Sequence, residues 1–253
     1  MVVARLGRAL SQPPCRAVFY EEGKGVMCAL KRVLITVSVV IMTSLPAGAH
    51  SPEELEAALS SREKYFQPIG KPAPETMLED ADGRLVKLAD FHDKVVVLHF
   101  VYTNCPDVCP LHTDRLAVIQ EEINLTPMKD QVQFVTVTTA PRTDTADVMR
   151  DYGPLHGLDA ANWVFLTSGP DRAEDTTRKL AKLYGHKFVP TEDGYQMHGV
   201  VTHLIDREGI WRGNFYGLRF NPNNFVAYID DLANDIHTPD EGQGLWRRIL
   251  ALF

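Results

Sequence analysis

The pattern of apolar and polar positions divides most of the chain after residue 70 into alternating strands and helices. Residues 95–101 form an almost unbroken apolar and β-branched run, which predicts a strand buried on both faces of a mostly parallel sheet. Similar runs at 131–138 and 162–167 predict two further strands. Amphipathic or dipole-compatible segments predict helices over residues 51–66, 111–123, 145–152, 171–184 and 223–236.

Two hairpins complete the predicted domain. Asp82-Gly83 predicts the turn of a first, small hairpin, because this dipeptide suits tight turns between strands. Segments 200–205 and 210–216 flank a second turn and predict another hairpin. Gly185 is expected to end the fourth helix. Strands alternating with helices, followed by a hairpin and a helix, predict an α/β thioredoxin-like fold with a central mostly parallel sheet and flanking helices.

The first 49 residues have a different pattern. A basic pair at 31–32, an apolar run at 33–45 and small residues at 47–49 are the three parts of a secretory signal peptide. We therefore expect a signal peptide over 27–49, cleavage before His50 and a periplasmic or otherwise exported product. The alternative is an uncleaved membrane anchor, but about 13 apolar residues are short for a span of roughly 20.

The remaining segments are assigned from their composition and residue pattern. Residues 1–26 have no clear period and are expected to be a misassigned start or a non-structural extension. Residues 50–69 are expected to be a helical segment that leads into a proline- and glycine-rich linker at 67–74, and 70–236 to be the folded domain. A C-terminal tail follows at 237–253, where an apolar helical face favours packing or a membrane-surface contact.

The net charge of the chain bears on the class of partner that it can bind. The chain has a net charge of −7, and the segment before His50 carries +4, so the exported part carries −11. Nucleic-acid binding proteins usually present a basic surface to the phosphates. We therefore expect no nucleic-acid partner.

Only two of the four cysteines, Cys105 and Cys109, lie in the predicted exported part. A disulfide across so short a loop would contribute about 2 kcal/mol, against nearly 5 for a loop of roughly 100 residues. A redox or metal-binding role is therefore favoured over a structural one. Pro110 at the first helical position would place Cys109 at the helix N-cap, where free N–H groups stabilise a thiolate.

Two thiolates bind a soft metal ion, and imidazole is a common further ligand for copper. His99 lies inside the predicted buried strand and is expected to pack or to form a hydrogen bond. His112 lies one turn beyond Cys109 on the same helix and is a candidate ligand. His198 opens the strand of the second hairpin and is another candidate, whereas His203, an odd number of positions later, would point to the opposite face.

The run Tyr-Thr-Asn-Cys-Pro-Asp-Val-Cys-Pro at 102–110 resembles the Sco/SenC family of copper proteins involved in cytochrome c oxidase assembly, and the similarity extends over roughly 70–236. His198 lies 89 residues beyond Cys109, at the family's ligand position, and His203 stands where the family commonly has tyrosine. The resemblance implies a thioredoxin-like fold and copper bound by Cys105, Cys109 and His198. It also implies delivery to the binuclear copper site of cytochrome c oxidase subunit II or to another copper acceptor.

Two functions of different classes therefore compete. The first is a copper-binding metallochaperone. The second is a thiol–disulfide oxidoreductase in which Cys105 attacks and Cys109 resolves, with a thiol–disulfide reductant as its partner. A peroxide-reducing enzyme is a third possibility, because a thioredoxin-like fold alone does not specify the chemistry.

Overall fold

The computed structural model describes residues 52–168, 175–191 and 194–234, and for residues 52–53, 190–191 and 194–198 it describes the backbone alone. The chain divides into two units, Met1–Ala49 and His50–Phe253, and every described residue belongs to the second. The predicted extension at 1–26, the signal peptide at 27–49 and the C-terminal segment at 237–253 lie outside the described residues and stay predictions. Among the described helices, none has the length and apolar composition needed to cross a membrane.

The described part of the chain contains five α-helices, two short 3-10 helices (Leu88–Phe91 and Pro127–Asp130) and ten strands. The helices are α1 (Pro52–Arg62), α2 (Val108–Asn124), α3 (Ala146–Leu155), α4 (Asp175–Leu183) and α5 (Pro222–Asn234). The first five strands are β1 (Phe66–Pro72), β2 (Met77–Glu79), β3 (Leu85–Lys87), β4 (Val95–Val101) and β5 (Val132–Thr138). The other five are β6 (Trp163–Leu166), β7 (Lys187–Thr191), β8 (Gly194–His198), β9 (Val201–Ile205) and β10 (Ile210–Tyr216).

Six strands form a central sheet in the order β1-β10-β9-β4-β5-β6. β4 runs parallel to β5, and β5 runs parallel to β6. β9 joins the other edge of β4 antiparallel and continues antiparallel through β10 to β1. The α/β class with flanking helices is confirmed, and the sheet is mixed, with its parallel part confined to β4, β5 and β6.

Strand β4 is buried at every position because elements cover both faces of the sheet. Val95 and Val97 belong to a core cluster that also contains apolar side chains of α1, α2 and α5. Val96 and Leu98 belong to a second cluster on the other face, with side chains of α4 and of the β2–β3 hairpin. The unbroken apolar run is therefore explained by alternation between two covered faces.

The predicted linker at 67–74 is wrong for most of its length. Phe66–Pro72 form β1, an edge strand paired with β10, with an irregular register between Pro68 and Lys71. Proline is compatible with an edge strand because its missing N–H is not needed where no neighbouring strand accepts it. Composition suggested a linker, but pairing with a distant strand decides the structure.

The hairpin of β7 and β8 is absent from the sequence prediction. His198 is the last residue of β8, paired with Lys187, and does not open the strand that follows. Gly199 separates β8 from β9 and has a φ of +92°, a conformation that favours glycine. The alternation of side-chain directions does not continue through such a residue, so the inference that His198 and His203 face opposite sides has no basis.

The predicted turns and helix ends are confirmed elsewhere. Gly83 has a φ of +76° in the β2–β3 turn, and the Asp80 carboxylate there accepts a hydrogen bond from the Asp82 N–H at 2.8 Å. Gly185 ends α4 with a φ of +89°. Just beyond it, the N–H of His186 donates to the Ala181 carbonyl at 3.0 Å. This closure of the helix end fixes the direction in which the chain enters β7.

Gly213 tests the packing of the edge strand. A Cβ at Gly213 would lie 2.4 Å from Cε2 of Phe66, so Gly213→Ala should lower the free energy of unfolding by about 1–3 kcal/mol. Urea denaturation measures this loss. In a Phe66→Leu background, which removes the clashing ring atoms, the same substitution should cost less, and equal losses in both backgrounds would contradict the assigned contact.

Candidate metal centre

The two cysteines lie in the loop after β4 and in the first turn of α2. Cys105 donates its N–H to the Tyr102 carbonyl at 3.1 Å, and the helix begins at Val108 with Asp107 as its N-cap. The predicted arrangement, with Cys109 as the N-cap and Pro110 at the first helical position, is therefore wrong by two residues. Proline is tolerated at the third position because the N–H groups of the first turn have no acceptor within the helix.

Cys105 takes the place of a capping side chain at the start of α2. The Asp107 side chain makes no capping hydrogen bond to any residue that the structure describes. The backbone N–H groups of Asp107 and Cys109 point instead to the sulfur of Cys105. The helix N-terminus therefore stabilises a thiolate at Cys105, whereas the sequence analysis assigned that effect to Cys109.

The two thiols have opposite pKa shifts. Desolvation by itself raises the pKa of Cys105, but the two backbone N–H donors and the side chains of Tyr102 and Cys109 outweigh it, so the pKa lies below its ordinary value. Burial raises the pKa of Cys109 to about 12, and the contact with Cys105 and the charge of Asp144 add to this rise. Cys105 is therefore the more readily ionised thiol, with a protonated Cys109 beside it.

A buried carboxylate holds the beginning of the cysteine loop. Asp144 is 2% exposed and accepts hydrogen bonds from the hydroxyl groups of Thr103 and Thr138. The Thr103 N–H also points to this carboxylate, with 3.3 Å between N and Oδ2. Because Thr138 ends β5, these bonds connect the cysteine loop to the neighbouring parallel strand. The carboxylate thus acts on the site through the loop backbone and through its charge.

Both cysteines are free thiols in the described part of the chain, and they open into one pocket of about 240 Å³. Gly199 and Val200, the two residues that follow His198, line the same pocket. The backbone of His198 therefore lies next to the cysteine pocket. The aromatic residues Phe100, Tyr102 and His112 complete much of the lining.

The structure brings some of the predicted ligands together. Cys105, Cys109 and the rival ligand His112 line one pocket, and Nε2 of His112 lies 2.7 Å from the hydroxyl oxygen of Thr202. The side chain of His198 lies outside the described part. Among the side chains that are described, no group of three or more His, Cys, Asp or Glu residues is arranged to hold a metal ion. The set of Cys105, Cys109 and His198 therefore stays a prediction.

Four buried histidines form a cluster that reaches the pocket through His112, and the sequence analysis does not predict this cluster. The rings of His99 and His112 have centroids 5.1 Å apart, and so do those of His186 and His203. Desolvation lowers the pKa of His99 to about 3 and that of His186 to about 4. Burial also holds the pKa of His112 and of His203 well below the ordinary value. All four rings are therefore neutral near neutral pH.

The fold and the cysteine loop can be compared with known proteins. The family model described as SCO1/SenC matches residues 73–234 of the chain. The chain belongs to the SCO1/SenC family. The matched range includes both cysteines, the histidine cluster and His198, so the whole candidate site of this SCO1/SenC chain lies inside the family domain.

Individual relatives agree with this assignment. A SCO2-like protein of Rickettsia conorii is 23% identical over 201 residues, which cover 78% of this chain and 95% of that protein. The crystal structure of a SCO1/SenC family lipoprotein from Bacillus anthracis has a TM-score of 0.59 at 23% identity, and the match covers 66% of this chain and 98% of that one. The structure of Bradyrhizobium japonicum ScoI with copper bound has a TM-score of 0.52 at 27% identity, covering 65% and 99%. The thioredoxin-like fold is confirmed by these structures.

The neutral histidines of the SCO1/SenC chain predict acid sensitivity. In the unfolded chain these histidines are protonated below their ordinary pKa of 6.5. In the native state protonation begins only near pH 4 for His186 and near pH 3 for His99. The free energy of unfolding should therefore fall as the pH falls from about 6.5 to 4, by up to about 1.4 kcal/mol per pH unit for each histidine.

Urea unfolding at a series of pH values, on the wild type and on His186→Gln, isolates this contribution. The variant lacks one of the four titrating rings but keeps every carboxylate. Its free energy of unfolding should fall less steeply with falling pH than that of the wild type. The difference in slope should be about 1.4 kcal/mol per pH unit, which corresponds to one proton fewer taken up on unfolding. Identical slopes for the two proteins would contradict the assigned shift of His186.

Proposed function

We propose that this SCO1/SenC protein is a copper-binding metallochaperone that holds copper through Cys105, Cys109 and His198. One observation carries the proposal: two free cysteine side chains open into a single pocket, and the residues directly after His198 line that pocket. The ion is the cargo of such a protein. It must therefore be bound by ligands that an incoming acceptor can reach.

The donor set fits copper. Thiolate sulfur is a soft ligand that favours Cu(I), and imidazole is a common partner for it. Cys105 has a lowered pKa and binds with little cost of deprotonation, whereas Cys109, with a pKa of about 12, must release a proton when it coordinates. Copper affinity should therefore rise with pH.

The recipient is proposed from the family. The resemblance of the cysteine loop to Sco/SenC proteins implies transfer to the binuclear copper site of cytochrome c oxidase subunit II or to another copper acceptor. The relative from Bradyrhizobium japonicum has been solved with copper bound, which supports copper as the cargo. Transfer would take place outside the cytoplasm if the predicted signal peptide is cleaved before His50.

Titration of the reduced protein with Cu(I), in competition with a chelator of known affinity, tests the ligand set. His198→Ala should weaken binding by at least about 100-fold, because loss of a direct ligand exceeds the 10–100-fold effect typical of outer-shell partners. His112→Ala is the matched control and should leave the affinity within a few-fold of wild type. If His198→Ala binds as tightly as wild type, the assignment of the third ligand is wrong.

A second candidate function is thiol–disulfide exchange, and the opposite pKa shifts of the two cysteines favour it. The Cys105 thiolate would attack a substrate disulfide, forming a mixed disulfide and releasing one substrate thiolate. Cys109, after losing its proton, would then attack Cys105 of that mixed disulfide. The products are a Cys105–Cys109 disulfide and a second substrate thiolate, so the protein is oxidised by two electrons and the substrate is reduced.

The two functions differ in their dependence on histidine and metal. Reduction of a disulfide peptide by the metal-free, reduced protein should be lost in Cys105→Ser and retained in His198→Ala if exchange is a function of the site. Liquid chromatography of the peptide thiols measures the turnover. A wild-type rate no higher than that of Cys105→Ser would remove this candidate.

A further inference from the structure

The hairpin that carries His198 is separate from the central sheet. In the described part of the chain, β7 and β8 pair with each other and with no other strand. The backbone position of His198 therefore depends on its pairing with Lys187, on the packing of Phe188 against the core cluster that contains Val96 and Leu98, and on the two points where the hairpin joins the domain. One of these points is His186, directly before β7, and the other is the Gly199-Val200 segment directly after β8.

A chain of hydrogen bonds with a defined direction holds His186. The donor-only Trp211 Nε1–H lies 2.9 Å from Oδ1 of Asn214, which identifies that atom as the amide oxygen. Nδ1 of His203 lies 2.7 Å from the same oxygen and must therefore carry a proton. In a neutral ring Nε2 of His203 is then an acceptor, so Nε2–H of His186 donates to it at 2.9 Å.

These groups are deeply buried. His203 is 0% exposed, Asn214 3% and His186 5%, so the bond between the two rings is shielded from competing water. The ring of His186 also packs against Phe100, with centroids 5.0 Å apart, and Phe100 lines the cysteine pocket. On the other side of the hairpin, the N–H of Gly217 donates to the Val200 carbonyl at 2.8 Å.

We propose that His186 and His203 are positioning residues for the copper site. The bond between their rings holds the chain at the entrance to β7. The pairing of Lys187 with His198 transmits this restraint to the backbone of His198 at the rim of the cysteine pocket. This inference rests on the proposed function, because it assigns a purpose to the position of His198.

A positioning role and simple core packing require different properties of the side chain at residue 186. Packing needs only a side chain of suitable volume, which leucine supplies. Positioning needs a donor directed at Nε2 of His203. Glutamine supplies that donor, because its terminal amide nitrogen reaches about as far from the backbone as Nε2 of histidine.

Loss of the donor should reduce the fraction of molecules in which His198 is in place for binding. The apparent dissociation constant rises in inverse proportion to that fraction. If one molecule in about ten remains competent, His186→Leu weakens Cu(I) binding about tenfold. His186→Gln should bind within about twofold of wild type.

Two measurements on the protein, made with the wild type, His186→Leu and His186→Gln, test this. The first is Cu(I) affinity by chelator competition, and the second is hydrogen–deuterium exchange of the β7 and β8 amides in the copper-free protein. His186→Leu should bind about tenfold more weakly and exchange faster in these strands, and His186→Gln should restore both. Phe134→Leu, a buried substitution in β5 away from the hairpin, is the control for lost stability and should change neither. If His186→Leu does not fold, His186→Met, which also lacks the donor, replaces it.

The outcomes separate this inference from the proposed function. If His198→Ala abolishes tight binding but His186→Leu does not weaken it, or His186→Gln does not restore it, the positioning role is wrong and the ligand assignment stands. If His198→Ala binds as tightly as wild type, the ligand assignment fails, and a positioning role for copper fails with it. Unchanged exchange in the hairpin of His186→Leu would overturn the positioning role whatever the affinity.

Discussion

The hydrogen bonds from the start of α2 to the sulfur of Cys105 determine most of the chemistry of this site. The N–H groups of Asp107 and Cys109 point to this sulfur, and the side chains of Tyr102 and Cys109 also help to lower its pKa. Hydrogen bonds to a ligating sulfur also withdraw electron density and weaken its bond to the metal. The fold thus provides a sulfur that is easily ionised but would not hold a metal at its greatest strength, which suits the proposed release of copper to an acceptor.

Cys109 supplies the opposite property, because burial, the Cys105 sulfur and the Asp144 carboxylate all oppose its ionisation. Whatever binds both sulfurs must displace the Cys109 proton. The proposed copper binding and disulfide formation would therefore compete for the same two sulfur atoms, and each requires Cys109 to lose its proton. Asp144 contributes to both, since its hydrogen bonds to Thr103 and Thr138 hold the loop. The two proposed functions, metal binding and thiol–disulfide exchange, therefore depend on the same pair of cysteines.

The sequence predicted those elements whose signals are local. The run at 95–101 identified a doubly covered strand, and the Asp-Gly pair identified the β2–β3 turn. Strand β1 was not predicted because its prolines favour a linker. It is a strand because it pairs with β10, which lies more than 130 residues away along the chain. The Asp193-Gly194 dipeptide is a turn signal of the same kind, but the sequence analysis does not predict the β7–β8 hairpin from it. No pattern in the sequence predicts the histidine cluster, because only the tertiary fold brings together the four separate segments that contain His99, His112, His186 and His203.

The choice between His112 and His198 as third ligand also has a physical basis. His112 is neutral and lines the pocket, but its Nε2 is already hydrogen bonded to Thr202, whose side chain is fully buried. Binding copper through that nitrogen would leave a buried hydroxyl without its partner, at a cost of about 1–3 kcal/mol. That cost corresponds to a loss of roughly 5-fold to 150-fold in affinity. That cost counts against His112 and is consistent with the proposed ligand His198, whose backbone precedes the exposed Gly199 at the rim of the pocket.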